Sequence, residues 1–367
     1  MAKRTSESNH SAAKAIISGC VEPADLYVLL GDDSCLSGRM IKLISRQFIK
    51  PEDEEFNFDI IDCQNNPPAA AITNALCELP VMCEKRLLVL LSAQALSSSA
   101  CKAIAASLQN HLPYHTNIVI LVSNTKKKDS LAGMAVNSPA FASIVYDCAL
   151  LESERESWIA HSLQQFGLNA APTLIRQISE RTGSDTQFLQ TQLEKLKQYL
   201  GERQEVTSAD IKTVIRKSIE IKSWELTEAI RSKNMQQAWR LAQDMLASDT
   251  ANRTVDFSRG TSGKNDNAPV SVRALGLLSY INTYLRSLAQ LQHLSAQHGR
   301  DISAIAQQTG KKDYQVRKSL EELQTWTSQS LHTAFTALCL SDYHIKKGRD
   351  PLLAIQLLLT RLCLRKK

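Results

Sequence analysis

Short apolar runs alternate with helical patterns over the first 150 residues, and this alternation limits the possible folds more than any other feature of the chain. Nearly continuous apolar strands joined by helices are typical of a parallel sheet that is covered on both faces. We therefore predict an α/β fold for this segment. Its five predicted strands are Leu26–Leu30, Phe56–Ile61, Leu87–Leu91, Asn117–Val122 and Ile144–Tyr146. The predicted helices between them cover 36–48, 69–79 and 98–111.

The strand pattern ends after Leu151, and helical spacing continues from there to the end of the chain. Four short helices, at 153–167, 172–182, 184–200 and 208–218, predict a compact bundle, and longer helices such as 224–232 and 235–247 follow it. We predict three domains, at residues 1–150, 151–218 and 219–367. A stretch rich in Ser, Thr, Asn, Asp and Gly at 248–268 predicts a mobile surface insertion.

Composition favours an ordinary globular protein without a membrane or export signal. Charged residues make up 22% of the chain and the net charge is +6, which is compatible with work beside DNA but too small to establish it. No aliphatic run is longer than Leu87–Leu91, which is far shorter than the roughly 20 residues that a bilayer requires. Because the nine cysteines lack the spacing of a zinc site, we expect small buried thiols in a soluble, cytoplasmic protein.

A glycine-containing turn after the first predicted strand stands where a nucleotide hydrolase has its phosphate-binding loop. A working loop has the spacing G-x-x-x-x-G-K-[ST], in which the lysine and the hydroxyl reach phosphate and magnesium. In this chain six residues separate Gly31 from Gly38, Arg39 replaces the lysine and Met40 replaces the hydroxyl residue. The strand 87–91 also lacks the acidic end that would orient magnesium and water. We predict a degenerate loop that does not bind ATP.

The sequence carries no other pattern of catalysis or metal binding. It has no G-x-S-x-G, H-E-x-x-H or dinucleotide-binding glycine motif, and Pro113 breaks the helical face between His111 and His115. We therefore expect no catalytic residue, no metal ligand and no cofactor. Lys126–Lys128 fit either a contact to a phosphate backbone or a solvated loop, and both alternatives stay open.

An apolar segment, Leu79-Pro80-Val81-Met82-Cys83, precedes the charged turn 84–86 and the third predicted strand. Proline keeps this segment from being an ordinary helix end, so that Val81 and Met82 would lie at the tip of a loop. Exposed apolar side chains there would fit the pocket of a partner. The residues equally allow both side chains to fold back under the sheet.

Several segments, in this order, resemble the delta subunit of the bacterial DNA polymerase III clamp loader. They are 27–33, 58–62, 79–89, 183–185, 193–196, 314–318 and 341–350, followed by a leucine-rich final helix. The resemblance implies an AAA+-like first domain with a degenerate phosphate loop. It also implies that a small helical lid domain and a C-terminal collar follow. In this family the collars of five loader subunits pack into a ring.

The same resemblance implies a non-hydrolysing subunit that acts in DNA replication. Such a subunit binds the β sliding clamp and opens one clamp interface, so that the ring can be loaded onto primed DNA. The implied partners are the clamp, the gamma/tau and delta prime subunits in a hetero-pentamer, and primed DNA, in a replisome at the nucleoid. Carried over by position, the clamp-binding pair is Val81 and Met82, flanked by Leu79, Pro80 and Cys83. The holoenzyme is a nucleotidyltransferase, to which this subunit would add no catalysis of its own.

One helical stripe in the implied collar carries Leu331, Phe335, Leu338 and Ile345, with Asp342 on the same stripe. We expect these residues to mark a packing or assembly position. Asp342 would form a structural hydrogen bond or pair with Lys346 one turn away.

Two other classes of function stay open. An ATP-dependent AAA+ remodeller or loader ATPase subunit would require the lysine, the hydroxyl residue and the acidic strand end that are absent here. A free-standing DNA-binding protein would require a basic recognition helix, whereas Lys212–Lys217 is short and mixed in character.

Overall fold

A computed structural model describes residues 10–138, 141–247, 254–256, 261–263, 269–299, 301–309 and 313–364. The chain divides after Arg216 into two compact units, 1–216 and 217–367. This division lies close to the start of the predicted third domain at residue 219. The predicted boundary at residue 150, inside the first unit, stays a prediction. None of the described helices is long and apolar enough to cross a membrane.

A six-stranded sheet is the centre of the first unit. Its strands are β1 (His10–Ser11), β2 (Leu26–Leu30), β3 (Phe58–Asp62), β4 (Arg86–Leu91), β5 (Asn117–Ser123) and β6 (Ser143–Asp147). They lie in the order β1-β6-β2-β5-β4-β3, and every pair is parallel. The prediction of an α/β fold with a parallel sheet is therefore confirmed.

Alternate residues of the central strands pack on opposite faces of the sheet, as the strand period of two requires. In β2, Tyr27 and Leu29 belong to one core cluster, whereas Leu26 and Val28 belong to the other. Both faces are buried because helices cover both of them. This double burial explains why the strands read in the sequence as continuous apolar runs.

Two strands differ from their prediction. The strand predicted at 56–61 begins at Phe58, because Glu54–Asn57 forms a short helical turn in front of it. The first strand was missed, since its two residues, His10 and Ser11, are too few to show any alternation.

Ten α-helices belong to the described part of the first unit. They are α1 (Ala12–Ser18), α2 (Ser34–Phe48), α3 (Glu54–Asn57), α4 (Ala69–Cys77), α5 (Ser98–His111), α6 (Leu131–Asn137), α7 (Arg155–Gln165), α8 (Pro172–Thr182), α9 (Thr186–Leu200) and α10 (Ser208–Val214). Short 3-10 helices lie at Pro51–Asp53, Cys63–Asn65, Ala93–Ala95, Leu112–Tyr114 and Glu152–Glu154. Trp158 of α7 and Leu193 of α9 share one apolar core with the sheet residues Tyr27 and Leu87.

The described part of the second unit is mainly helical. Its elements are α11 (Ile219–Arg231), α12 (Met235–Ala247), β7 (Thr254–Asp256), β8 (Thr261–Gly263), α13 (Val270–His298), α14 (Ile302–Thr309), α15 (Asp313–Leu323), α16 (Ser328–Lys346) and α17 (Pro351–Cys363). This agrees with the predicted run of helices.

The antiparallel pair β7–β8 departs from the expectation that no strand follows residue 151. Each of these strands has three residues, too few to give an alternating pattern in the sequence. The rest of the predicted insertion 248–268 lies outside the described residues.

Replacing Gly31 or Gly38 with alanine should change the stability of the protein in opposite directions. Gly31 has a φ of +143°, and a Cβ there would lie 2.6 Å from the carbonyl oxygen of Cys148. Gly38 lies inside α2, where a Cβ would meet nothing within 4 Å. We expect Gly31→Ala to lower the free energy of unfolding by at least about 2 kcal/mol, from strain and overlap. Gly38→Ala should raise it by about 0.5–1 kcal/mol, because alanine is the better helix former.

Chemical denaturation of both variants beside the wild type measures these changes. A stable Gly31→Ala variant would contradict the close approach of residue 31 to Cys148.

Candidate functional site

The segment Leu79–Cys83, which we call the apolar loop, lies directly before β4. Its side chains are exposed to very different degrees: Met82 is 98% exposed, Leu79 71% and Val81 47%. Pro80 and Cys83 are half-buried. Of the two arrangements that the sequence allows, the structure therefore has the exposed one, in which Val81 and Met82 do not fold back under the sheet.

The conformation of the apolar loop is unusual at its tip. Met82 has a φ of +56°, in the left-handed region that residues with a side chain seldom adopt outside turns. The next residue closes the turn, because the Cys83 thiol donates to the carbonyl oxygen of Lys85 over 2.9 Å. A long apolar side chain on a strained, fully exposed position is a feature found at binding sites.

Asn57, at the end of α3, holds the middle of the apolar loop. Its Oδ1 accepts the backbone N–H of Val81 at 2.7 Å, and its Nδ2 donates to the carbonyl oxygen of Val81 at 2.9 Å. The same Nδ2 donates to the carbonyl oxygen of Asp53 at 3.0 Å. Asn57 was not among the predicted site residues, since it lay inside the strand predicted at 56–61. The one available signal was that asparagine is rare in strands.

Arg86 ties the two ends of the loop together. It pairs with Glu78, directly before the apolar loop, and with Asp59 on β3. It also donates to the carbonyl oxygen of Phe56 at 3.2 Å. The expectation of a charged turn at 84–86 was wrong for this residue, because Arg86 is the buried first residue of β4. A buried guanidinium is tolerated only with such partners.

Asn117, the first residue of β5, anchors the chain that leads into the loop. Its Nδ2 donates to the carbonyl oxygens of Leu76 at 2.7 Å and Glu78 at 3.2 Å. Asn117 lies beside Arg86 in the parallel ladder, and Phe58 of β3 lies beside Leu87. All of the loop's supports therefore come from the amino-terminal edge of the sheet.

The predicted nucleotide loop lies at the opposite, carboxyl-terminal edge, and the helix that follows it begins two residues earlier than predicted. Helix α2 already begins at Ser34, since the Asp33 carboxylate accepts the N–H groups of Cys35 and Leu36 at 2.9 and 3.0 Å. Gly38, Arg39 and Met40 therefore lie inside α2, within the helix predicted at 36–48, and of the four residues assigned to the degenerate nucleotide loop only Gly31 lies outside the helix. Aspartate is a preferred N-cap, and this explains the early helix start.

Asp33 occupies the place that a phosphate would take at a helix N-terminus. Its carboxylate also accepts the Thr186 hydroxyl of α9 at 2.7 Å. Burial raises the pKa of this carboxyl group, although hydrogen bonds from Leu36 and Thr186 act against the shift. The end of the helix is thus closed by the chain's own side chains.

Arg39 and Met40 are engaged elsewhere. The guanidinium of Arg39 bonds to Gln190 and lies 4.8 Å from the centre of the Trp158 ring. Met40 is fully buried in the core beneath α2. Neither side chain is available for the role of a phosphate-binding lysine or a magnesium-binding hydroxyl.

The histidines and lysines considered in the sequence do not form a common site in the structure. His111 Nε2 lies 3.2 Å from Cys77 Sγ, whereas His115 bonds to Asp25, so the two rings have different partners. The described residues contain no group of three or more His, Cys, Asp or Glu that could hold a metal ion. Lys126–Lys128 are exposed, as both a solvated loop and a phosphate contact require.

The predicted collar stripe is used inside its own unit. Leu331, Leu338 and Ile345 are buried in the core of the second unit, and Phe335 packs against that core. The predicted ion pair is present, with Lys346 Nζ 2.7 Å from Asp342 Oδ2 on the exposed side. These residues pack, and an assembly surface would have to use other side chains. Exposed apolar residues on α16 and the following helix α17 are Leu340, Tyr343, Leu352, Leu353 and Leu357.

Two family models match the chain. The model of the DNA polymerase III delta subunit matches residues 27–133, and the model of its C-terminal domain matches residues 271–362. The first range contains the apolar loop and all of its supports. Together the two ranges cover more than half of the chain.

A curated relative and a solved structure agree with these models over almost the whole length. The chain is 22% identical to DNA polymerase III subunit delta of Bacillus subtilis, over 95% of each sequence. The structure of the Bacillus subtilis DNA clamp loader delta protein matches it with a TM-score of 0.57 and 17% identity, covering 96% of this chain and 99% of that one. The structural match supports the fold, and the family models carry the assignment. The chain belongs to the family of DNA polymerase III delta subunits.

Proposed function

We propose that this chain is a clamp-loader subunit that binds the β sliding clamp through the apolar loop and holds one clamp interface open for loading onto primed DNA. The observation that carries the proposal is the exposure of Leu79, Val81 and Met82 on a hydrogen-bonded loop within the family-matched region. An exposed apolar tip is costly in water and becomes favourable when a partner's pocket covers it.

The energy available from this tip is adequate for the task. Burying Val81 and Met82 would supply roughly 3–6 kcal/mol before the costs of association. Binding that favours an opened clamp edge shifts the equilibrium of the clamp by the difference in affinity for the two states. No bond has to be made or broken by this chain.

We further propose that the chain neither binds nor hydrolyses ATP. The self-capped start of α2 and the engaged Arg39 support this part of the proposal. For the same reason a loader ATPase subunit or remodeller is not favoured. ATP bound to neighbouring subunits would control when the apolar loop is presented.

The remaining partners follow from the family. We propose assembly with the gamma/tau and delta prime subunits into a hetero-pentamer through the second unit, as a collar, with residues 151–218 as the lid. The complex would work on primed DNA in the cytoplasm, at the nucleoid. The structure of a relative titled a DNA clamp loader delta protein, which shares this fold, supports the assignment to a loader.

Loss of the apolar tip should abolish tight clamp binding. We expect the Val81→Ala/Met82→Ala variant to lose about 2–4 kcal/mol of binding free energy, which is about 30- to 700-fold in Kd. Its thermal stability should change little, since both side chains are exposed. Calorimetric titration of the full chain with its own β clamp measures the effect.

A matched control is Leu353→Ala/Leu357→Ala, which removes two exposed side chains of similar size from α17. This control should bind the clamp as the wild type does. Equal affinity of the wild type and the Val81→Ala/Met82→Ala variant would move the binding site away from the apolar loop.

Restoring a lysine to the degenerate loop should not restore nucleotide binding. We expect neither the wild type nor Arg39→Lys to bind ATP with magnesium at concentrations up to about 1 mM, because residue 39 lies inside α2 and Asp33 closes the helix start. A titration with a fluorescent ATP analogue and competition by ATP checks this. Saturable binding by the wild type would favour the ATPase alternative.

A further inference from the structure

We propose that Asn57 is the positioning residue that keeps the apolar loop in its presented form, and this inference rests on the proposed function of that loop. Asn57 does not reach the surface itself, since it is 0% exposed. It would therefore act on a partner only through Val81, since it forms hydrogen bonds with both the N–H and the C=O of that residue.

The chemistry of the contact explains why an amide is required. A carboxamide presents a donor and an acceptor side by side in one plane, as a neighbouring strand does. Asn57 satisfies both the N–H and the C=O of Val81 in this way, at 2.7 and 2.9 Å. A hydroxyl has its donor and its acceptor on a single oxygen atom, so it cannot span the N–H and the C=O of Val81 as two separate atoms do, and an ionised carboxylate has no donor.

Asn57 is itself firmly held. Its third bond, from Nδ2 to the carbonyl oxygen of Asp53 at 3.0 Å, fixes the amide against the start of the same helical segment. The next residue, Phe58, enters β3 and pairs in register with Leu87 of β4. The middle of the apolar loop is thereby connected to the sheet through a side chain.

The two hydrogen bonds from Asn57 lie where they can restrain the tip of the apolar loop. The Glu78–Arg86 pair closes the ends of the segment, but neither residue reaches its middle. Between these ends Met82 has a φ of +56°, a conformation that an unrestrained methionine would leave. Asn57 bonds to the residue directly before Met82, so its two bonds oppose this relaxation.

Restraint of this kind raises affinity by raising the populated fraction of the binding form. When only a fraction of molecules has the correct loop, the apparent Kd increases by the reciprocal of that fraction. Losing both bonds to Val81 should reduce the presented fraction to about a tenth, and clamp affinity should fall about tenfold.

The test compares Asn57→Ala, Asn57→Asp and the wild type as full chains. Asn57→Asp has almost the same volume and keeps the acceptor, but it loses the donor to Val81 and Asp53. We expect Asn57→Ala, which loses both bonds to Val81, to bind the β clamp about tenfold more weakly, and Asn57→Asp, which keeps the bond from the Val81 N–H, to lose part of that affinity. We also expect faster amide hydrogen exchange at Val81 and Met82, with unchanged exchange in β2 and β5.

Gln192→Ala is the matched control. Gln192 is also buried and also accepts a backbone N–H, that of Arg216 at 3.1 Å, but it lies on α9. This control should lower thermal stability without changing clamp affinity or exchange at Val81. An equal loss of affinity in the control would mean that general destabilisation explains the effect, and this would overturn the inference.

A double-mutant cycle of Asn57 and Met82 distinguishes an effect of Asn57 through the apolar loop from a general loss of stability. In the background of Met82→Ala, Asn57→Ala should cost distinctly less than tenfold, because part of what it positions is gone. Full additivity, or wild-type affinity of Asn57→Ala or Asn57→Asp, would overturn the role of Asn57 while leaving clamp binding intact. Failure of the wild type to bind the clamp would overturn the proposed function and this inference together.

Discussion

The parallel direction of the six strands decides where each candidate site of this chain can lie. In a parallel sheet all strands begin at one edge and end at the other, so a segment before a strand and a segment after a strand are on opposite sides. The apolar loop comes before β4, and the degenerate nucleotide loop comes after β2. The two candidate sites are therefore separated by the length of a strand.

At the amino-terminal edge, buried polar groups support exposed apolar ones. Arg86, Asn57 and Asn117 are buried, and each bonds to the backbone or to carboxylates around the apolar loop. Buried polar groups have strict geometric requirements, since an unsatisfied one costs about 1–3 kcal/mol. Such a network limits the loop to few conformations, and a loop restrained in this way loses less entropy on binding than a flexible one does.

At the carboxyl-terminal edge, hydrogen bonds to a polar side chain occupy the start of helix α2, where a phosphate would otherwise bind. A helix N-terminus binds anions because its first N–H groups lack partners. Asp33 supplies the anion from within the chain, and Thr186 bonds to that carboxylate in turn. A polyphosphate would have to displace a side chain that the fold holds in place. This provides a structural explanation for a family member without the nucleotide motif.

Much of the fold was predictable, because it depends on periodic apolar patterns. The strands β2 and β5 and the helices α5 and α8 lie where continuous apolar runs and helical spacing indicated them. Proline and apolar residues before a strand indicated a loop at Val81 and Met82, but the sequence left open whether these side chains are exposed, and the structure decides this. The helical period also predicted the apolar stripe at 331, 335, 338 and 345. It did not show that this stripe is buried inside the second unit.

The supports of the site could not be predicted, because they depend on contacts between distant segments. Asn57 and Val81 are 24 residues apart, and nothing in either segment indicates the other. Arg86 was predicted to belong to a charged turn, because its partner Asp59 lies on another strand and is distant in the sequence. The early start of α2 was missed because Asp33 was not considered as an N-cap.

The most direct test of the account is a hydrogen-exchange comparison of the full chain alone and with its β clamp. It locates the contact without any substitution. The account predicts slower exchange in the segment 78–84 when the clamp is present, with unchanged exchange at 31–40. Unchanged exchange at 78–84, together with protection in another part of a clamp-bound chain, would contradict it.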